Sequence, residues 1–85
     1  MKEFTYVIKD EIGIHARPAG KIASTAKKFE ADINIHFKGK EVKITKIMAL
    51  MKLNVKQNDT IKITFDGSDE EDAYQALSKL IEENL

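Results

Sequence analysis

Asp32-Ile33-Asn34-Ile35-His36-Phe37-Lys38-Gly39-Lys40-Glu41-Val42-Lys43-Ile44 alternates apolar and polar side chains on both sides of a glycine. Ile33, Ile35 and Phe37 share one face of an extended chain, with Asp32, Asn34, His36 and Lys38 on the other. Gly39-Lys40 reads as the turn of a hairpin, and Val42 and Ile44 continue the inward face on the return strand. Two adjacent strands, each with one apolar and one polar face, call for an antiparallel sheet covered on a single side.

The segments around this hairpin follow the same logic. Phe4, Tyr6 and Ile8 alternate with Thr5, Val7 and Lys9, a half-buried first strand that ends in a turn over Asp10–Gly13. Ala19, Ile22, Ala23, Ala26 and Phe29 recur at helical spacing, which predicts a helix over about 16–28. Pro18 is tolerated in its first turn, and Gly20 inside it costs about 1 kcal/mol relative to alanine. Ile47–Leu53 is apolar nearly all round, so periodicity does not separate strand from helix. Its Met, Ala and Leu content favours a short helix, with Asn54 as a left-handed terminator. Ile61, Ile63 and Phe65 form a fourth strand, closed by Asp66-Gly67. Ser68 or Asp69 is expected to cap a last helix whose buried stripe is Ala73, Ala76, Leu77, Leu80 and Ile81. The order is strand, helix, strand, strand, helix, strand, helix. The fold class is α+β: an open-faced sandwich of a four-stranded antiparallel sheet with three helices on one face.

At 85 residues, the chain is expected to be a single domain over 1–85, burying about 60–65% of its unfolded surface. A hydrophobic fraction of 42% and a charged fraction of 33% suit a globular protein and exclude disorder. Fourteen basic residues balance 14 acidic ones, so bulk charge does not hold this protein to nucleic acid, and no aromatic platform for bases is evident. There is no cysteine, hence no disulfide framework or thiol chemistry. No apolar run approaches a membrane span and Met1–Thr5 lacks a secretory core, so the expected location is cytoplasmic.

Chemistry concentrates in Gly13-Ile14-His15-Ala16-Arg17-Pro18. This segment places an imidazole at the mouth of the first helix, with a guanidinium two residues on. An anion there can meet the ring, the fork of Arg17 and free helix N–H groups at once. Spacing alone leaves two readings open: a helix-capping surface histidine, or an acceptor of phosphate. Other schemes fit poorly. Ser24 lies about nine residues along the same helix, too far to act as a neighbouring nucleophile, and one histidine beside a cation is a poor metal site. No metal or cofactor is expected. His36, in the polar phase of its strand, reads as a solvated ring without a role.

Taken together, the 13–19 segment, the Asp32–Lys40 hairpin, Ile47-Met48-Ala49-Leu50-Met51, Phe65-Asp66-Gly67-Ser68-Asp69-Glu70 and the chain length resemble the HPr family. These are the histidine-containing phosphocarriers of the bacterial phosphoenolpyruvate-dependent sugar phosphotransferase system, and the likeness covers essentially the whole chain. It implies that His15 accepts phosphate on Nδ1 from phosphorylated enzyme I and passes it to enzyme IIA domains. It further implies that Arg17 and the amides of Ala16 and Arg17 hold the phosphate. The protein is then a stoichiometric carrier and not an enzyme, expected as a monomer. Partner docking would fall on Gly20, Ile47, Met48 and Met51, the alternative for Ile47 and Met48 being plain core packing.

Three departures from the family pattern stand out. Where many Gram-positive members carry a regulatory serine, this chain has Lys46, preceded by Thr45, which could cap the second helix instead. Ile12 replaces a small polar residue, and Gly20 replaces a larger one. Lys46 implies a carrier without serine-type regulation. The competing reading is a regulatory binding module serving a metabolic regulator or a non-sugar branch of the system.

Overall fold

The computed structural model describes all residues from Met1 to Leu85. Its elements are β1 (Lys2–Val7), α1 (Ala16–Ala26), β2 (Asp32–Phe37), β3 (Lys40–Lys43), α2 (Ile47–Lys52), β4 (Thr60–Asp66) and α3 (Glu70–Asn84). The strands form one antiparallel sheet in the order β1-β4-β2-β3, the open-faced sandwich that the alternation calls for. Phe4 pairs with Ile63 and Tyr6 with Ile61, while Ile63 pairs with Ile35 and Phe65 with Ile33. Direct partners share a face, so this register puts every inward residue of three strands in one layer. Ile35, Ile61, Ile63 and Phe65 are sealed beneath Ala19, Ile22 and Ala26 of α1, Leu50 of α2, and Ala73, Leu77 and Ile81 of α3.

The hairpin turn lies one residue earlier than expected, at Lys38-Gly39 and not Gly39-Lys40. Phe37 pairs directly with Lys40, and Ile35 with Val42. Either placement keeps Val42 and Ile44 inward, so burial does not choose between them. Turn handedness does. A two-residue hairpin loop that follows the strand twist needs positive φ at both central positions, and Lys38 and Gly39 adopt φ of 49° and 80°. The ladder continues past β3, where the Ile44 N–H donates to the Ile33 carbonyl at 3.0 Å.

Helix ends show three further differences. α1 stops at Ala26, because the Lys28 and Phe29 N–H groups turn to carbonyls three residues back, Thr25 and Ala26. The second helix begins with Lys46 at its N-cap, so Thr45 does not cap it, and no side chain supplies a cap bond. It ends at Lys52, and Asn54 takes the expected left-handed conformation with φ of 60°. At α3, Asp69 stands at the N-cap, yet its carboxylate reaches away from the helix. It accepts the Glu30 and Ala31 N–H groups, both at 2.8 Å. The helix start is held instead by Glu70, whose Oε1 accepts the Gly67 N–H at 3.1 Å.

Asp69 therefore ties the α1–β2 connection to the β4–α3 connection. Gly67 fits the same junction, since a Cβ there would stand 2.6 Å from the Ala31 Cα. Asp69→Ala leaves two backbone donors without their charged acceptor and is expected to cost about 1.5–3 kcal/mol in urea unfolding. Asp69→Asn should recover part of that loss. A wild-type midpoint for both variants would mean that the junction contributes nothing.

The surface ion pairs give stability a direction in pH. Asp32 is held below the usual carboxylate range chiefly by the Lys43 ammonium that donates to it, Glu70 by the Gly67 N–H, and Glu71 by the Lys2 ammonium. Each ionises more readily in the folded chain than in the unfolded one. Its contribution is complete above the ordinary carboxylate values of 3.8 and 4.5, and is lost as pH falls through the lowered folded values. Lys2 is raised by Glu71, so its contribution is present below the ordinary 10.5 and fades as pH climbs through the raised value. The melting temperature is expected to fall as pH drops from about 5 toward about 2. Molar salt should flatten the slope, because these groups face solvent. A melting temperature independent of pH over that interval would contradict the assignment.

Candidate functional site

The site is built from a short loop laid against Leu85, the last residue of the chain. The Asp10 N–H donates to the Leu85 carbonyl at 2.6 Å, and the Asp10 carbonyl accepts the Gly13 N–H at 3.1 Å. Its side chain closes an Asx turn, with Oδ1 accepting the Ile12 N–H at 2.8 Å. Gly13 then takes φ of +85°, and a Cβ on it would stand 2.2 Å from the Val55 carbonyl oxygen. Only glycine permits both that backbone conformation and that approach. Immediately afterwards the Ile14 N–H donates to the same Val55 carbonyl at 3.1 Å, and the Ile14 side chain is buried. The loop is thus fixed on both sides of the residue that matters.

His15 follows as the N-cap of α1, extended at φ −133° and ψ −178°. Its carbonyl accepts the Ala19 N–H at 3.0 Å, and its side chain makes no cap bond. The ring is therefore free of the helix it starts. Its side chain is 33% exposed, and Nε2 lies 3.9 Å from Asp10 Oδ1. Beyond it, the Ala16 and Arg17 N–H groups have no acceptor within the protein, and Pro18 carries no N–H at all. Two unpaired donors thus sit beside the ring at the positive end of an 11-residue helix whose first turn holds no acidic residue. Arg17 is exposed and forms no ion pair with any carboxylate of the chain. A ring, two unpaired amides and, two residues on, an unpaired guanidinium are groups that suit a small anion.

On the neighbouring helix, Ile47 and Met51 are each 37% exposed and Met48 is 65% exposed. Core packing therefore does not account for these side chains; Leu50 is the residue of α2 that enters the core. α2 packs beside α1, where Gly20 is half-buried with open space around its Cα. Ile12 is exposed as well, so the site loop adds an apolar side chain where a polar one was noted as the usual choice. Lys46 is exposed at the head of α2.

The second histidine is more engaged than its strand phase suggests. His36 pairs across the sheet with Lys62 and Glu41, and its Nε2 lies 3.1 Å from Thr64 Oγ1 and 3.5 Å from Glu41 Oε2. It belongs to the polar outer face, away from the helix mouth. Asp10 was read from the sequence only as part of a turn, and the structure adds it to the surroundings of His15. The Asp-x-x-Gly spacing of an Asx turn was the available signal, though nothing in it says which way the second carboxylate face points.

Comparison with known proteins finds relatives over nearly the whole chain. A family model described as the phosphorylation site of the HPr component of the phosphotransferase system matches residues 2–83. The chain is 46% identical over 85 residues to the phosphocarrier protein HPr of Mycoplasma genitalium, covering 99% of this chain and 97% of that one. It superposes on the crystal structure of an HPr from Thermoanaerobacter tengcongensis with a TM-score of 0.90 at 44% identity, covering 96% of this chain and 92% of the other. A histidine-containing phosphocarrier from Mycoplasma gives a TM-score of 0.93 at 34% identity, with coverage of 96% and 93%.

Proposed function

Because the chain belongs to the HPr family of phosphotransferase-system phosphocarriers, we propose that His15 is its phosphoryl acceptor and that Nδ1 is the atom that takes the group. The observation that supports this most is the ring standing clear of its helix at an N-terminus with two unpaired N–H groups. Nε2 is the nitrogen turned to Asp10, which leaves the Nδ1 edge for the incoming group. The Nδ1 lone pair forms a bond to phosphorus as the bond between phosphorus and the donor breaks. Arg17 forks onto two phosphate oxygens, and the Ala16 and Arg17 amides donate to the third.

The helix end contributes about 0.3–1 kcal/mol, up to ~2 when partly buried. That orients the group without trapping it, as a carrier requires. Positioning and charge supply what such a transfer needs from the protein. The donor is phosphorylated enzyme I, and the acceptors are enzyme IIA domains in the cytoplasm. Both dock on Gly20, Ile47, Met48 and Met51, where flexible methionines accommodate more than one partner. The protein works as a monomeric carrier that turns over no small substrate of its own. Enzyme I with phosphoenolpyruvate is expected to load one acid-labile phosphoryl group, which an added IIA domain then removes. Failure of the wild type to take up phosphate would overturn the reading.

Lys46 sets the regulation of this carrier. Its ammonium cannot accept a phosphoryl group from ATP in the manner of a serine hydroxyl, and Thr45 stands one residue before the helix cap. Incubation with ATP and an HPr kinase is expected to label neither position. Stable label at 45 or 46 would show that the regulatory site persists in a shifted register.

A further inference from the structure

From the placement of one carboxylate, we infer that Asp10 is a positioning residue for the phosphoryl acceptor, holding the His15 ring by its Nε2 edge and balancing the charge of the phosphorylated ring. The inference rests on the reading of His15 Nδ1 as the phosphorylated atom.

Asp10 is unusually well fixed for a surface acid. Its N–H, its carbonyl and its Oδ1 each have a backbone partner: the Leu85 carbonyl, the Gly13 N–H and the Ile12 N–H. The carboxylate is only 31% exposed and stands 3.9 Å from Nε2. No other carboxylate of the chain comes within 4.0 Å of a ring nitrogen of His15. The other charged groups on the loop and the elements around it are Lys9, Glu11, Arg17, Lys46, Lys52, Lys56, Asp59, Glu83 and the Leu85 carboxylate, whose oxygen accepts the Lys9 and Asp10 N–H groups. The nearest of these to His15 in sequence, Arg17, is a cation suited to the phosphate and not to the ring.

The chemistry asks for an anion at that edge. When the Nδ1 lone pair takes the phosphoryl group from a neutral ring, the proton stays on Nε2 and the ring becomes a cation. A carboxylate at Nε2 favours the tautomer with Nε2–H, which is the one with a lone pair on Nδ1. It then favours the cationic ring once the N–P bond has formed. Release reverses the sequence: the N–P bond breaks as phosphorus bonds to the acceptor's nucleophile, the electron pair stays on Nδ1, and the ring returns to the neutral form with the proton still on Nε2. No proton need leave the site in either direction. Asp10 acts on the ring and not on the phosphorus.

Asp10→Asn keeps an oxygen for the Ile12 N–H and removes the charge, so it isolates the electrostatic role. The readout is the rate of phosphate loss from the phosphorylated protein as a function of pH, loaded by enzyme I and phosphoenolpyruvate. The acid limb of the variant is expected at lower pH, because the cationic ring has lost its counter-charge. Transfer from enzyme I should slow by about 3- to 10-fold in kcat with KM unchanged. Asp10→Ser, whose hydroxyl also accepts the Ile12 N–H, is expected to behave like Asp10→Asn and serves if the amide variant folds poorly. Superposition of both variants' pH profiles on the wild type would overturn the role of Asp10. Failure of the wild type itself to load phosphate on His15 would overturn the reading beneath it, so the two failures are distinguishable.

Discussion

His15→Ala is expected to take up no phosphate from enzyme I while keeping the stability of the wild type. The separation of the two effects follows from the geometry. The His15 side chain makes no cap bond and contributes no atom to the core, so truncation leaves α1 with all its hydrogen bonds. Stability should change by no more than about 0.5 kcal/mol. Chemistry, by contrast, loses its nucleophile, and nothing replaces it. The next hydroxyl on the helix is Ser24, which lies about two and a half turns, or roughly 13 Å, further along. Arg17→Ala gives the informative contrast. It keeps the acceptor and removes one electrostatic contact, so loading is expected to slow on the order of 10²-fold without vanishing. Stoichiometric uptake by His15→Ala would refute the site assignment, and an unfolded variant would refute the claim that the ring stands clear of the fold.

Gly13→Ala is expected to be the most damaging single methyl group that can be added near the site. Alanine in a left-handed conformation costs about 1–2 kcal/mol before any contact is considered. Its Cβ would also fall 2.2 Å from the Val55 carbonyl oxygen and 2.7 Å from the Lys56 Cα. Both are backbone atoms, so no rotamer change relieves the overlap, and the loop must move. Displacement at this price costs about 1–3 kcal/mol, and the Ile14-to-Val55 hydrogen bond, worth about 1 kcal/mol, goes with it. The expected loss is about 3 kcal/mol or more, a fall in melting temperature of roughly 12 °C or more for a domain of this size. Phosphate uptake should slow as well, because His15 is two residues away and its carbonyl starts the helix. Gly20→Ala is the control, with ordinary helical backbone and nothing within 4 Å of its Cβ. It is expected to gain about 0.5–1 kcal/mol. Equal melting temperatures for the two variants would mean that the loop is not held as described.

The contrast between these glycines shows what the sequence can and cannot convey. Alternation in β2 and β4, and the helical stripes in α1 and α3, are one-dimensional signals of which side faces the core, and they were legible. The turn at Lys38-Gly39 was misplaced by one residue because both registers satisfy burial, and only backbone handedness separates them. Asp69 was expected as a helix cap, which is a local role. Its carboxylate instead bonds residues 38 and 39 positions away, a partnership that exists only once the chain has folded. At the site, the helix mouth, Arg17 and the free amides followed from local sequence, and membership of the HPr family raised the segment above a helix-capping histidine. Asp10 was not legible, because its approach to Nε2 depends on how an Asx turn and the Val55 segment between α2 and β4 are packed together. The exposure of Ile47, Met48 and Met51 was ambiguous in a segment apolar on every side, and it took the position of Leu50 to decide which side is buried.

The central claim is that one nitrogen of one histidine carries the phosphate. It is tested most directly by loading the protein, labelled with nitrogen-enriched histidine, from enzyme I and phosphoenolpyruvate, and reading the phosphorus and nitrogen resonances. One phosphoryl group is predicted, coupled to Nδ1 of His15, with the ring of His36 unchanged. Phosphate on His36, on Nε2 of His15 or on a hydroxyl such as Thr45 would contradict the account, as would a protein that takes up none.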